Sequence, residues 1–213
     1  MIFKFLLMLG LIPLIGSFLV RKFFSDRVLK SEEGGTTVSY SGKEMVERVL
    51  KLGKAKDVDI QVKRRPFLHL GPGYLVLSPQ VAESKEVRDV AGAALMAGMV
   101  LMARQQDRVV AWRSWAVKFG YAMPGFAMVV MIFAMVVGRV PPSMSIAIVS
   151  ACLGLSTLLL WSTLTVEKAA AKVVADFLEE SALVPRIREA ELLTKYLMAH
   201  SWKRVVPGAV GFL

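Results

Sequence analysis

The chain has one cysteine, Cys152, and two histidines, His69 and His200, in 213 residues. A single thiol excludes an intramolecular disulfide and leaves the redox compartment undetermined. Its place within an apolar run reads as a buried, inert thiol. No Ser/His/Asp or Cys/His arrangement, phosphate-cradling glycine loop or Cys-x-x-Cys occurs. Acidic residues are also scarce, 17 against 27 Lys and Arg, for a formal charge of +10. That excess invites a nucleic-acid reading, but no stacking aromatic series or recognition motif accompanies it. Attraction to anionic lipid headgroups accounts for the charge more simply, so membrane lipids are expected partners and nucleic acid is not.

Hydrophobic residues are abundant. They make up 55% of the chain, with a mean hydropathy of +0.53, where about 45–50% is usual for a soluble domain. Three runs, residues 2–20, 119–138 and 145–164, approach the roughly 20 residues needed to cross a bilayer as a helix. Lys4, near one end of the first, is the only charge within them. The first run has one basic residue, Lys4, before its main apolar stretch and no small-x-small cleavage site before Arg21-Lys22, so it reads as a retained anchor.

Charge placement predicts orientation. Between Arg21 and Trp115 stand seventeen Lys/Arg against eleven Asp/Glu, whereas the turn at 139–144 holds only Arg139. Basic segments next to a span stay cytoplasmic, and Arg21, Lys22, Arg27 and Lys30 are close enough to the first span to carry that rule. The same four residues are the expected lipid-headgroup contacts. The N-terminus and the 139–144 turn should lie outside. Residues 21–115 and the segment after Thr165 should lie inside, placing the main domain in the cytoplasm of a bacterial cell.

The segment following the anchor has its own signals. Ser31-Glu-Glu-Gly-Gly-Thr-Thr reads as a polar linker. Ser41-Gly-Lys-Glu44 is a capping box that should start a helix whose apolar face is Met45, Val46, Val49, Leu50 and Leu52, ending at Gly53. Val58, Ile60 and Val62 alternate with Asp59 and Gln61 as in a half-buried strand, and Tyr74–Leu77 reads as a second strand, the two suggesting a small hairpin. Ser84 should cap a helix running to about Arg104, polar at its start and apolar in its middle. Beyond Thr165, Val166, Ala169, Ala170, Val173 and Phe177 recur at helical spacing, so the third span should continue or turn shortly into a cytoplasmic helix. A last amphipathic stretch, 187–206, contains Trp202, Lys203 and Arg204 and suits an interface.

This order of elements resembles the membrane-anchored neutral zinc metallopeptidases of the YugP-like family over nearly the whole chain. Ser41-Gly with the 46–50 helix resembles the family's first domain helix, and Val58-Asp-Ile-Gln-Val its first strand. Tyr74-Leu-Val-Leu-Ser78 resembles the strand and serine before its metal helix. Ala93-Ala94 match the residues before the first histidine, and Gly98 falls on the glycine of its His-Glu-x-Gly-His. Arg113-Ser114 resemble a downstream Arg-Ser pair, and Val166-Glu167 the segment carrying a glutamate ligand. The resemblance implies a mainly α membrane protein. It would comprise an anchor (1–22), a linker (23–40), a small α+β zincin-like cytoplasmic domain (41–115), two further spans (116–138 and 145–165) and C-terminal helices (166–213).

The departures from the family pattern bear on function. Leu95 and Met99 stand where the family has its two imidazoles, and Met96 where it has the glutamate that acts as general base. Leucine donates no lone pair, methionine is a poor zinc ligand, and neither moves a proton. Glu167 alone remains of the ligand set, and one carboxylate does not hold catalytic zinc. The expectation is therefore an inactive pseudopeptidase with no cofactor, serving as a binding, scaffold or accessory subunit for a membrane-protein partner. Two other readings stay open: an active peptidase with non-standard ligands, and a lipid- or copper-handling protein. Met96, Met99 and Met102 on one helix and Met123, Met128, Met131 and Met135 in the second span could serve soft-metal chemistry, but methionine is also the adaptable filler of apolar interiors. His69 and His200 read as surface or interfacial side chains. Glu167 reads as paired with a Lys or Arg or as facing water. Gly92 and Gly98 should serve close packing, while Gly120, Gly125, Gly138 and Pro124 should shape the second span.

Overall fold

The computed structural model describes residues 2–64, 70, 71, 73–180 and 183–206. His69 and the Pro66 region lie outside them. Most described residues are helical. The helices are α1 (Ile2–Arg21), α2 (Arg27–Leu29), α3 (Gly42–Leu52), α4 (Pro79–Glu83), α5 (Val87–Gln105), α6 (Asp107–Val137), α7 (Pro142–Glu180) and α8 (Ile187–Ser201). A π-helical turn, Lys22–Asp26, joins α1 to α2. Three helical stretches, Phe3–Leu29, Asp107–Val137 and Pro142–Glu180, are long and apolar enough to cross a membrane, with mean hydropathies of 2.2, 2.0 and 2.0.

The described chain divides into two compact units. One contains α1 and Trp112–Thr165, and the other Phe24–Ala111 and Val166–Trp202. In the first, glycines bring helices into backbone contact. A Cβ on Gly10 would lie 2.0 Å from the Ser150 carbonyl oxygen, and one on Gly154 2.2 Å from that of Leu9. Small residues at such crossings are what allow apolar helices to associate without a hydrophobic driving force. The Trp161 indole N–H donates to Ser17 Oγ at 2.6 Å, satisfying a donor that hydrocarbon would leave unpaired. Gly120 does pack, against Leu160, whereas Gly125 has nothing within 4 Å of its would-be side chain.

In the second unit α5 is the central element, packed against α3, α8 and the sheet. The capping box of α3 forms as its sequence predicts. The Ser41 N–H donates to the Glu44 carboxylate at 2.8 Å, and Ser41 Oγ accepts from the Glu44 amide at 3.4 Å. The backbone bond to Ser41, then its hydroxyl, hold the Glu44 carboxyl below its ordinary pKa. Met45, Val46, Val49 and Leu50 are buried, while Leu52 turns outward.

Three expectations are corrected. The strands do not make the expected hairpin. β1 (Asp59–Val62) pairs parallel with β3 (Tyr74–Leu77), and β2 (Leu70–Gly71) adds antiparallel on the far side of β3, giving the order β1-β3-β2. Parallel neighbours cannot be joined by a tight turn, so the 63–73 connection must cross over, and β2 is part of that crossing. Val62 is consequently exposed on an edge strand instead of half-buried. Second, Ser84 does not cap α5. Ser78 caps an extra short helix, α4, with Pro79 at its first position, and α5 starts after Glu86. The Ser-Pro pair was the available signal. Third, the buried stripe of α7 below Thr165 is Val166, Glu167, Ala170, Ala171, Val174, Ala175 and Leu178, rotated from the stripe marked by Val173 and Phe177. Small residues occupy the centre because another helix comes close there.

Two expectations of continuity differ in outcome. The third span does run on without a break to Glu180. The polar stretch after residue 30 is drawn into the unit: a Cβ on Gly34 would lie 3.4 Å from the Tyr196 ring, and Thr37 bridges Glu86. Ser31 Oγ donates its proton to the Val28 carbonyl at 2.7 Å, so the buried Tyr196 hydroxyl is the donor in their 2.6 Å bond.

Candidate functional site

The middle of α5 is buried on nearly every side. Leu95 is 7% exposed and Met99 1%, both within the continuous apolar core, with Met96 packed at its edge. Gly98 sits where α5 meets α7: a Cβ there would lie 2.6 Å from the Ala170 carbonyl oxygen and 2.8 Å from Val174 Cγ2. Ala170 and Ala171 stand three and four positions after Glu167, so all three share the buried stripe of α7. The structure therefore brings the Leu95–Met99 turn and the Glu167 helix together at Gly98, backbone to backbone. Glu167 is 2% exposed, which rules out the water-facing reading, and it is not without a partner.

His200 sits at the edge of the unit. It is half-buried, its ring 3.2 Å from where a Gly92 Cβ would be, and its Nε2 is 2.8 Å from the Arg88 carbonyl oxygen. A carbonyl only accepts, so Nε2 carries a proton and has no lone pair for a metal. The imidazole ties α8 to the first turns of α5, and Gly92 is the packing glycine that admits it.

A buried carboxylate that the sequence reading missed lies on α8. Glu189 is 7% exposed and accepts from Ser39 Oγ at 2.8 and 3.0 Å, from the Ser39 amide at 3.3 Å and from Arg186 at 3.5 Å. Its signal was an acidic residue in the apolar stripe 189, 193, 196, 197. Nearby, Lys195 is held above its ordinary pKa first by its hydrogen bond to Glu33, at 2.6 Å. Both side chains are well exposed, so the pair contributes little to stability.

The basic residues proposed for lipid contact, Arg21, Lys22, Arg27 and Lys30, occupy the end of α1 and the turn beyond it. Lys30 also pairs with Asp26 at 3.7 Å. Aromatic rings accompany them: Phe23 and Phe24 are exposed, Phe24 stacks on Trp202 at 5.0 Å, and Lys168 Nζ lies 3.8 Å over the Trp202 ring. Aromatics mixed with cations are the composition of a membrane interface. Cys152 is half-buried in the third span.

The described chain thus combines helices long and apolar enough to cross a membrane, a small sheet and a long central helix, α5, set against α7. The chain matches the family described as "Putative neutral zinc metallopeptidase" over residues 3–209 and belongs to it. Comparison with curated proteins and with solved structures gives no match in either set.

The zinc that this family implies does not fit the residues present. Leu95, Met96 and Met99, where the resemblance places the two imidazoles and the base, present hydrocarbon and thioether to an apolar core. Among the described residues, no group of three His, Cys, Asp or Glu side chains could hold a metal ion.

Proposed function

We propose that this chain is a catalytically inactive member of the peptidase family, retained as a binding or accessory subunit in a bacterial cytoplasmic membrane, with its second unit on the cytoplasmic side. The observation that carries this reading is the burial of Leu95 and Met99 in the apolar core, at the positions where the resemblance would put the family's histidines. The close helix contact at Gly98 is kept while the donors beside it are gone. Filling such a cavity with Leu and Met adds about 1.5–3 kcal/mol of burial per side chain. It also removes ionisable groups that would need a metal partner. A fold that once held polypeptide can hold a protein partner without its metal. The exposed basic residues beside the first span suit anionic headgroups.

Two measurements on detergent-purified full-length protein test this. Metal analysis should find zinc far below one ion per chain, and stoichiometric zinc with proteolysis abolished by a chelator would restore the enzyme reading. Extraction in mild detergent should bring a membrane protein with the chain in fixed ratio, and recovery of the chain alone would remove the subunit role.

A further inference from the structure

An open groove of about 1080 Å³ lies in the second unit, along α3 and the turn that follows it. It exceeds the roughly 300–1,000 Å³ of small-molecule pockets, and a short stretch of polypeptide is of the size that fills it. Tyr40, Leu52 and Leu183 give it an apolar strip. Leu52 is 40% exposed there, although it belongs to the apolar positions of α3 by sequence. Four cations, Arg48, Lys51, Lys54 and Lys56, complete the walls together with three carboxylates. None of the lining residues belongs to α5 or α7.

The carboxylates are already engaged and the cations are not. Glu44 accepts from the Ser41 amide, Glu47 pairs with Lys43 at 3.9 Å, and Asp57 pairs with Arg104. Among the described residues none of the four cations forms an ion pair with a carboxylate. Arg48 is nevertheless held in place: its guanidinium lies over the Tyr40 ring, 3.7 Å from the centroid. A ring face takes up the charge without supplying an oxygen acceptor, so the N–H donors of a positioned cation remain for an incoming carboxylate. Lys54 adds a second sign. Its φ of 56° is one that glycine or asparagine adopts more readily, and strain of this kind is kept where the side chain has a task. Here lysine places an ammonium group at the groove.

The mixture of charges selects the class of ligand. A nucleic-acid backbone or an anionic membrane surface carries negative charge at close intervals, and would meet Glu44, Glu47 and Asp57 as repulsion. A polypeptide whose acidic residues are spaced around an apolar one answers both the cations and the Leu52 strip. We propose that the groove docks an acidic segment of a protein partner, with carboxylates on Arg48, Lys51 and Lys54 and an apolar side chain against Leu52. This gives the subunit role a partner chemistry and rests on that reading for the segment belonging to a separate protein.

The probe is a fluorescein-labelled peptide with a central leucine flanked on each side by three glutamates and a glycine, titrated with the full-length protein in neutral detergent and read by anisotropy. Binding should saturate at one peptide per chain and disappear when glutamine replaces glutamate. Arg48→Gln should weaken it about tenfold, as expected for a charge-assisted hydrogen bond. Lys54→Gly should weaken it about threefold without lowering the thermal midpoint, the loss of one exposed charge contact. Lys172→Gln, the same loss of charge on an exposed residue outside the groove, should leave it unchanged. No saturable binding, equal binding of the glutamine peptide, an equal loss in Lys172→Gln, or displacement of the peptide by inorganic pyrophosphate at lower concentration than by unlabelled peptide would overturn the proposal. Because the peptide is supplied, the result is separate from recovery of a partner in mild detergent: peptide binding by a chain recovered alone removes the subunit role and keeps the groove, and a co-purified partner without peptide binding does the reverse.

Discussion

Lys54 carries a backbone conformation that glycine usually supplies, with φ of 56°. It follows α3, where the Ala55 amide bonds the Leu50 carbonyl at 2.8 Å and the Lys54 amide bonds that of Lys51 at 3.2 Å, the pair of bonds that closes a helix through a left-handed residue. The glycine sits one position early because Gly53 meets α5: a Cβ there would be 2.4 Å from Leu101 Cδ2. Two demands for glycine fall on adjacent positions, and packing takes the one available. A left-handed lysine costs about 1–2 kcal/mol, of which glycine's greater unfolded-chain entropy would return part. Lys54→Gly should therefore stabilise the protein by about 0.5–1 kcal/mol, read as a rise in the thermal midpoint in detergent. A midpoint that stays or falls would show that the left-handed turn is not strained.

At the scale of elements, the contact between α5 and α7 depends on the absence of one side chain, at Gly98. Gly98→Ala would drive a methyl into the Ala170 carbonyl, and neither helix can yield locally, so a loss of about 1–3 kcal/mol is expected. Gly125→Ala, an equal change in α6 where the side chain meets nothing, should instead be neutral or stabilise by up to about 1 kcal/mol. Equal effects in thermal unfolding would mean that the helix contact is not tight. The same comparison shows what was readable beforehand. The capping box, the spans and the apolar middle of α5 are local patterns, and the sequence marks them directly. The rotated stripe of α7 is not local: its buried centre is alanine and glutamate because α5 approaches there, and large apolar residues such as Val173 and Phe177 were the misleading cue. Parallel pairing of β1 with β3 likewise depends on a crossover that alternation alone does not encode. Of the candidate site, the burial of Leu95 and Met99 in an apolar helix was legible. The engagement of His200 with Arg88 was not, since it joins residues far apart in sequence.

At the scale of the molecule, connectivity and charge constrain orientation together. The second unit is assembled from two separate segments, Phe24–Ala111 and Val166–Trp202. Both must lie on one side of a membrane to form one unit, so the chain between them crosses an even number of times. Helices α6 and α7 are each apolar and long enough to supply two crossings. In the proposed orientation the basic residues Arg21, Lys22, Arg27 and Lys30 hold that unit in the cytoplasm, and the short turn between α6 and α7, with Arg139 as its only basic residue, would face outward. Ser143 is exposed just beyond that turn, and Lys51 is exposed in α3. In a Cys152→Ala background, Ser143→Cys should react with an impermeant maleimide in intact cells, and Lys51→Cys only after the membrane is permeabilised. The reverse pattern would invert the protein. Reaction of both in intact cells would mean that α6 and α7 do not return the chain to the cytoplasmic side.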